Sequence, residues 1–358
     1  MADELFLQEV RTVAKAHLRT LTIIGTYRCT AACRQCCFES SPAVRGHLTL
    51  EEITRAIDQA RELSPNLKVV VFSGGEATLL RDTLFAALRQ CRQRSLLTRL
   101  VSNGSWGKSA TSAHHFAARL AQAGLAELNL STGPEHREWI PLQSVENAAR
   151  AALEHGLRTV VSVESGPDGP PAKETYAVLA ALAQQQPALF RLIYSSWMTF
   201  KTSGTGSTGP TRSVPREVFG PCDQLFKNIV VTPHRAISAC CGLTFEHIPE
   251  MKMGTLADAP RGNDLVRAYQ ATLNDFSKIW LAVEGPATVL RRALGTAADA
   301  LIASSHHICE VCALMHQNEE AVAELRRIYA EYAPSVLQRF GLKTFESFSP
   351  EEAIDEAT

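Results

Sequence analysis

Three cysteines, Cys29, Cys33 and Cys36, stand in a C-x3-C-x2-C pattern directly after the apolar run Leu21-Thr22-Ile23-Ile24, which predicts a strand. Three thiolates this close together can converge on one inorganic centre. Their number matters. A four-iron cluster held by three protein thiolates keeps one iron open for another ligand. A zinc ion asks for a fourth protein ligand nearby, or a water for catalysis. The plain alternative is a set of buried or disulfide-bonded cysteines.

A second motif, Gly74-Gly75-Glu76, follows the continuous apolar run Lys68-Val69-Val70-Val71-Phe72-Ser73. Such a run predicts a strand buried on both faces. Adjacent glycines let the backbone turn sharply and approach a ligand closely. A carboxylate at that point can receive an ammonium group.

The elements that must position these motifs alternate between strand and helix. Residues 5–18 read as a short amphipathic lead-in. Strands are expected near 21–24, 68–73, 97–102, 126–132, 158–164 and 189–197. Between them, Leu50, Ile53, Ile57 and Ala60 fall at helical spacing, with a capping box formed by Thr49 and Glu52. Leu80, Leu84, Leu88 and Cys91 line a further helix, which makes Cys91 a core residue. Helices at 111–123 and 144–155 stop at Gly124 and Gly156, and another spans 172–184. This alternation predicts an α/β fold of parallel strands with helical crossovers. Six repeats rather than eight predict an open, partial (β/α)6 TIM-like barrel. Ligands in such sheets bind at the carboxyl ends of the strands. Gly74-Gly75-Glu76 and Ser102-Asn103-Gly104 both lie there.

Together the three-cysteine spacing and Gly74-Gly75-Glu76 resemble the radical SAM superfamily, over residues 21 to about 197. The resemblance implies a [4Fe-4S] cluster on Cys29, Cys33 and Cys36, with S-adenosylmethionine (SAM) at the open iron. It implies reductive cleavage of SAM to a 5'-deoxyadenosyl radical that abstracts hydrogen from a substrate. Gly74, Gly75 and Glu76 would hold the SAM amino group, with Ser102 and Asn103 nearby. Ser131 matches the fourth-strand position that contacts ribose or carboxylate, although the usual acid after it is Thr132 here. Ser162 or Glu164 would serve on the fifth strand. The residue before the last cluster cysteine is usually aromatic and packs near adenine. Here it is Gln35, with Phe38 as the substitute.

Composition changes after the sixth strand. Residues 201–215 are rich in Gly, Ser, Thr and Pro and read as a linker or a substrate lid. They lack the Gly-Lys-Ser/Thr ending of a phosphate loop. A second cysteine set follows: Cys222, Cys240 with Cys241, and the pair Cys309-x2-Cys312. Residues 228–238 predict a hairpin around Pro233, with Cys240 at its end. Four thiolates from a loop, a hairpin end and a C-x2-C can enclose a four-iron cluster or a zinc ion, or remain uncoordinated. The arrangement resembles the SPASM or twitch module of radical SAM enzymes, in its smaller version with one auxiliary [4Fe-4S] cluster. Pro233-His234-Arg235 stands where that module usually turns on Asp-Gly. The expected division is a lead-in (1–20), the barrel (21–200), a linker (201–219), the auxiliary module of a β-hairpin plus helices (220–315) and a helical end (316–358). Either Cys240 or Cys241 could be the ligand. Cys37 and Cys241 are candidates to donate a hydrogen atom to a substrate radical, a spare buried thiol being the ordinary reading. His306, His307 and His316 read as surface or capping residues.

The 358 residues carry 36 basic and 37 acidic side chains, a net charge of −1, with no basic run that would mark a nucleic-acid groove. No apolar stretch reaches the length of a membrane span, and the first residues lack the apolar region of a signal peptide. The expectation is a cytoplasmic protein without nucleic-acid or membrane partners, whose ten cysteines stay reduced or bind metal. Relatives with an auxiliary module mostly modify ribosomally made peptides by crosslinks, thioethers or epimerisation, or oxidise small molecules. The expected partners are a peptide or small-molecule substrate and an electron donor such as flavodoxin or ferredoxin. The first twenty residues are short for a leader-binding domain. The rival classes are a non-catalytic iron–sulfur or SAM-binding protein and a zinc-ribbon interaction protein.

Overall fold

A computed structural model describes residues 10–11, 13–15, 17–34, 36–165, 173–196, 216–240, 248–256, 263–303, 305 and 307–346. The first half alternates β1 (Thr20–Thr26), α1 (Leu50–Leu63), β2 (Val69–Gly74), α2 (Asp82–Gln93), β3 (Leu97–Ser102), α3 (Ala110–Ala123) and β4 (Glu127–Thr132). It continues with the short α4 (Pro134–Arg137), α5 (Leu142–Glu154), β5 (Arg158–Ser165), α6 (Lys173–Gln185) and β6 (Phe190–Ser196). The second half holds β7 (Asn228–Val231), β8 (Ala236–Ser238) and β9 (Lys252–Thr255). Helices follow: α7 (Asp264–Thr272), α8 (Phe276–Glu284), α9 (Pro286–Leu294), α10 (Ala297–Ala303), α11 (Ile308–Gln317) and α12 (Glu319–Glu346).

Strands β1 to β6 lie side by side in chain order and pair in parallel, as the alternation of elements predicts. Local chemistry sets the boundaries. Thr49 and Glu52 close the expected capping box on α1, and Gly124 ends α3 in the left-handed region. Burial alternates along the inner strands. Leu128, Leu130 and Thr132 of β4 are buried, while Glu127, Asn129 and Ser131 are half-buried. Strand β2 follows the same rule, with Val70 and Phe72 buried and Val71 and Ser73 half-buried. The half-buried set marks the face turned away from the helices. Cys91 is fully buried, as its place on the α2 stripe requires.

The hairpin turned out to be continuous with the barrel sheet. β7 pairs in parallel with β1, Thr20–Ile23 lying opposite Asn228–Val231. β8 and β9 then add in antiparallel fashion, giving the order β6-β5-β4-β3-β2-β1-β7-β8-β9. Nothing in a four-residue apolar run distinguishes a hairpin strand from one that also covers a barrel edge. All four residues of β7 are buried, and the Thr22 hydroxyl donates to Asn228 Oδ1 at 3.1 Å. The turn that departs from Asp-Gly is held by its own side chains. Arg235 adopts φ 62°, a conformation that costs a non-glycine residue roughly 1–2 kcal/mol. Its guanidinium reaches Glu52 at 2.5 Å, and His234 packs edge-on against Tyr27. Residues 201–215, expected as a linker or lid, lie outside the described residues, as does most of the lead-in at 1–9. Among the described residues no helix is long and apolar enough to cross a membrane.

Candidate active site and the second cysteine cluster

The three-cysteine loop leaves the carboxyl end of β1. Its first turn is fixed by the Cys29 N–H on Ser41 O at 3.1 Å and its last by the Cys36 N–H on Cys33 O at 3.2 Å. The ends of two other strands grip it from outside. From β3, Asn103 Nδ2 donates to Thr30 Oγ1 at 2.9 Å and to Cys29 Sγ at 3.5 Å. Beyond β4, the buried Glu135 accepts from the Arg34 backbone N–H and from its guanidinium, both at 3.1 Å.

Each thiol carries an electrostatic mark of this crowding. Burial pushes Cys29 up to about 11, opposed by the Ala31 N–H and aided by Glu76 and Cys36. Burial, Cys36 and Cys29, with Glu164 and Glu135 behind them, push Cys33 up to about 12. Cys36 moves the other way, down to about 6, chiefly because the Cys37 thiol donates to it, with further help from the Ser40 and Phe38 N–H groups against its burial. Cys36 burdens Cys29 and Cys33 as anions, Cys29 burdens Cys33, and Cys29 and Cys36 also face N–H donors; such a set fits a cationic centre, which removes the cost of ionisation. Cys37 is raised by the same bond to Cys36, so its S–H hydrogen is engaged with a neighbouring sulfur. Cys241, the other candidate hydrogen donor, and Gln35 lie outside the described residues.

Gly74-Gly75-Glu76 sits against this loop. The Gly75 N–H bonds Thr26 O at 2.8 Å and the Glu76 N–H bonds Arg28 O at 2.9 Å. A Cβ on Gly75 would stand 2.4 Å from Arg28 O, so the close approach needs glycine. The Glu76 carboxylate is fully buried, and burial raises it against its hydrogen bonds. Oε1 accepts from Thr78 N–H (3.1 Å), Thr78 Oγ1 (2.6 Å) and Ser102 Oγ (2.9 Å), and Oε2 from Asn103 N–H (2.8 Å). One acceptor position on Oε2 is left for an outside donor. Ser102, expected to face the cofactor, instead spends its hydroxyl inside the protein. It donates to Glu76 and accepts from Gly104 N–H and Trp106 Nε1, both at 3.1 Å, which exhausts a hydroxyl.

Ser131 and Ser162 are register partners on β4 and β5, both half-buried on the sheet face turned away from the helices. Glu164 is buried and accepts from the His136 N–H at 3.2 Å, with His136 Nδ1 at 2.8 Å. Gly133 makes room for it: a Cβ there would lie 2.3 Å from Glu164 Cδ. Phe38 stacks on Tyr27 with ring centroids 5.9 Å apart. The sequence reading missed Glu135. An acid one turn after a strand carries no signal until the loop it grips is folded beside it.

The second cysteine set converges from three segments. The Cys222 N–H is fixed on Leu281 O at 3.0 Å. Burial raises this thiol, while the Gln224 and Leu225 N–H groups and the Lys343 ammonium counter it. Cys240 follows β8. His307 caps α11, its Nδ1 accepting from the Cys309 N–H at 3.1 Å. Cys312 is pushed well above the thiol range by burial and then by Cys240, Cys222, Cys309 and Glu250, so the four sulfurs share one field. His316 is half-buried, its side chain 8% exposed, with Nδ1 3.7 Å from Glu250. Among the described residues no three His, Cys, Asp or Glu side chains come together tightly enough for a single metal ion.

Residues 23–182 match the Radical SAM superfamily model. Over 140 residues the chain is 26% identical to "Putative peptide biosynthesis protein YydG" of Bacillus subtilis (strain 168). That match spans 39% of this chain and 42% of the relative, less than half its length. Native anSMEcpe with bound AdoMet superposes with a TM-score of 0.51 at 11% identity, over 90% of this chain and 99% of that one. A histidine-tagged form of anSMEcpe, also with bound AdoMet, gives 0.50 at 12% identity, over 90% and 98%. Identities this low speak for the fold, the partial barrel with its added strands and helices. The matched stretch, from within β1 into α6, carries the three-cysteine loop and Gly74-Gly75-Glu76, and it is this part of the chain that is similar to the Radical SAM superfamily.

Proposed function

We propose that this chain is a radical SAM enzyme that matures a ribosomally made peptide, aided by an auxiliary [4Fe-4S] cluster. The observation that carries the reading is the three-thiol loop at the carboxyl end of β1, gripped by Asn103 and Glu135 and backed by Glu76. Cys29, Cys33 and Cys36 would hold the first cluster, leaving its fourth iron for SAM. When bound, that cluster and SAM supply one-electron cleavage and a hydrogen-abstracting radical. The chain's own residues do the positioning. Oε2 of Glu76 and the backbone of Gly74 and Gly75 receive the SAM ammonium. Ser131, Ser162 and Glu164, on adjacent strands, face the ribose and carboxylate, Glu164 being oriented by His136.

Cys222, Cys240, Cys309 and Cys312 would hold the auxiliary cluster. Zinc at ~2.3 Å from each sulfur would bring the thiols to about 4 Å from one another. A four-iron cluster places each thiolate on its own iron and asks for a wider set. Peptide modification is favoured over a small-molecule substrate by the partial match to YydG. Electrons would come from a flavodoxin or ferredoxin in the cytoplasm.

Anaerobic reconstitution, with iron counting and a SAM cleavage assay under dithionite, tests the reading. About eight irons per chain and formation of 5'-deoxyadenosine are expected. About four irons with cleavage removes the auxiliary cluster. Full clusters without cleavage overturn the enzyme assignment in favour of a non-catalytic iron–sulfur protein.

A further inference from the structure

Asn103 belongs to no cysteine motif, yet it contacts both halves of the site. Its backbone N–H donates to Glu76 Oε2 at 2.8 Å. Its side chain is orientated without ambiguity: Oδ1 accepts from the Ser105 N–H at 3.0 Å, and an N–H can only donate. Nδ2 is therefore turned to Thr30 Oγ1 at 2.9 Å and Cys29 Sγ at 3.5 Å. Asn103 is only 5% exposed and Cys29 8%, so solvent screens this contact little. Cys29 Sγ is also approached by the Ala31 N–H, at 3.4 Å, and by the Thr30 N–H.

We infer that Asn103 is a positioning residue that sets the reduction potential of the centre held by Cys29, by donating a hydrogen bond to that ligand's sulfur. This rests on the proposed [4Fe-4S] assignment. Reduction adds negative charge to cluster and ligands, and a donor on a ligand sulfur stabilises the more negative state. The hydrogen bond thus makes the cluster easier to reduce. Thr30 serves as the internal control, because its hydroxyl takes the Asn103 amide, while its backbone N–H, which faces the sulfur, is kept when the side chain is changed.

The test is the midpoint potential and electron paramagnetic resonance spectrum of the anaerobically reconstituted full chain, with iron content measured beside them. A Cys309→Ala/Cys312→Ala background isolates the first cluster. Asn103→Ala should shift the potential to a more negative value at unchanged iron content. Asn103→Asp, which keeps the size but replaces the donor by an anion, should shift it further in the same direction. Thr30→Val, which frees Nδ2 for Cys29, should leave the potential unchanged or raise it. Asn103→Ala and Asn103→Asp potentials equal to that of the parent overturn the inference. So does an equal fall in Thr30→Val, which would reduce Asn103 to a loop pin. If Asn103→Ala fails to retain iron, Asn103→Asp and Thr30→Val decide the matter alone. Failure of the parent to assemble a four-iron cluster would instead sink the assignment of the centre itself.

Discussion

Glu76 Oε2 and the backbone N–H of Asn103 lie 2.8 Å apart across 27 residues of sequence. This bond, with Ser102 Oγ on the other carboxylate oxygen, ties the end of β2 to the end of β3 directly beneath the cysteine loop. A carboxylate buried this deeply acts first as a keystone for the site. Its contact with a ligand depends on that placement.

Replacing Glu76 by Ala leaves the donors of Thr78, Ser102 and Asn103 without their acceptor in a buried place. The cost should be about 2–4 kcal/mol in unfolding free energy, read from urea unfolding of the reconstituted protein, together with loss of SAM binding. A Glu76→Ala protein of parental stability would contradict the hydrogen-bond network.

Gly75→Ala places a Cβ 2.4 Å from Arg28 O and 2.6 Å from Tyr27 O. Both acceptors are backbone, so neither can swing aside. The loop should be pushed off β2, and most of the iron that the proposed cluster on Cys29, Cys33 and Cys36 would take up should be lost on reconstitution. Iron content of the purified variant is the measurement, and full occupancy would refute the close packing.

The Glu135 carboxylate holds Arg34 through its backbone N–H as well as its exposed guanidinium. Glu135→Ala should therefore impair cluster assembly more than Arg34→Ala, whose main-chain N–H stays in place. Reconstitution rates followed by the visible absorbance of the cluster compare the two. Equal rates would mean that only the exposed ion pair matters, and such pairs contribute little.

Glu284 supplies a pH-dependent lock on the C-terminal helices. Burial alone would raise its carboxyl. The bidentate Arg292, Arg339 and the Trp280 indole outweigh burial and hold it down at about 2. The folded value lies below the ordinary 4.5, so the stabilisation is complete above that pH and is lost as pH falls toward 2. Glu284→Gln should be less stable than the parent near about pH 6, with the gap narrowing by about pH 3. Urea midpoints across this range check it, and a gap independent of pH would refute the lock.

Much of the molecule was decided locally. The capping box at Thr49 and Glu52, the stop at Gly124 and the buried stripe through Cys91 depend on neighbours within a few residues. The spacing of Cys29, Cys33 and Cys36 is likewise a local property, as is the pair of glycines at 74 and 75. Local sequence therefore specified the β/α alternation, the three-thiol loop and the resemblance to the radical SAM superfamily. Tertiary structure alone decided what long-range contacts decide. Strand β7 joined β1 because an open sheet edge demands backbone partners, and no periodicity reports which edge a strand will cover. Asn103 found Cys29, and Glu135 found Arg34, only once β3, β4 and the loop were side by side. Ser102 turned inward because the buried Glu76 carboxylate required donors more than a ligand required contacts. The gathering of Cys222, Cys240, Cys309 and Cys312 from three segments likewise appeared only when the helices after β9 had packed.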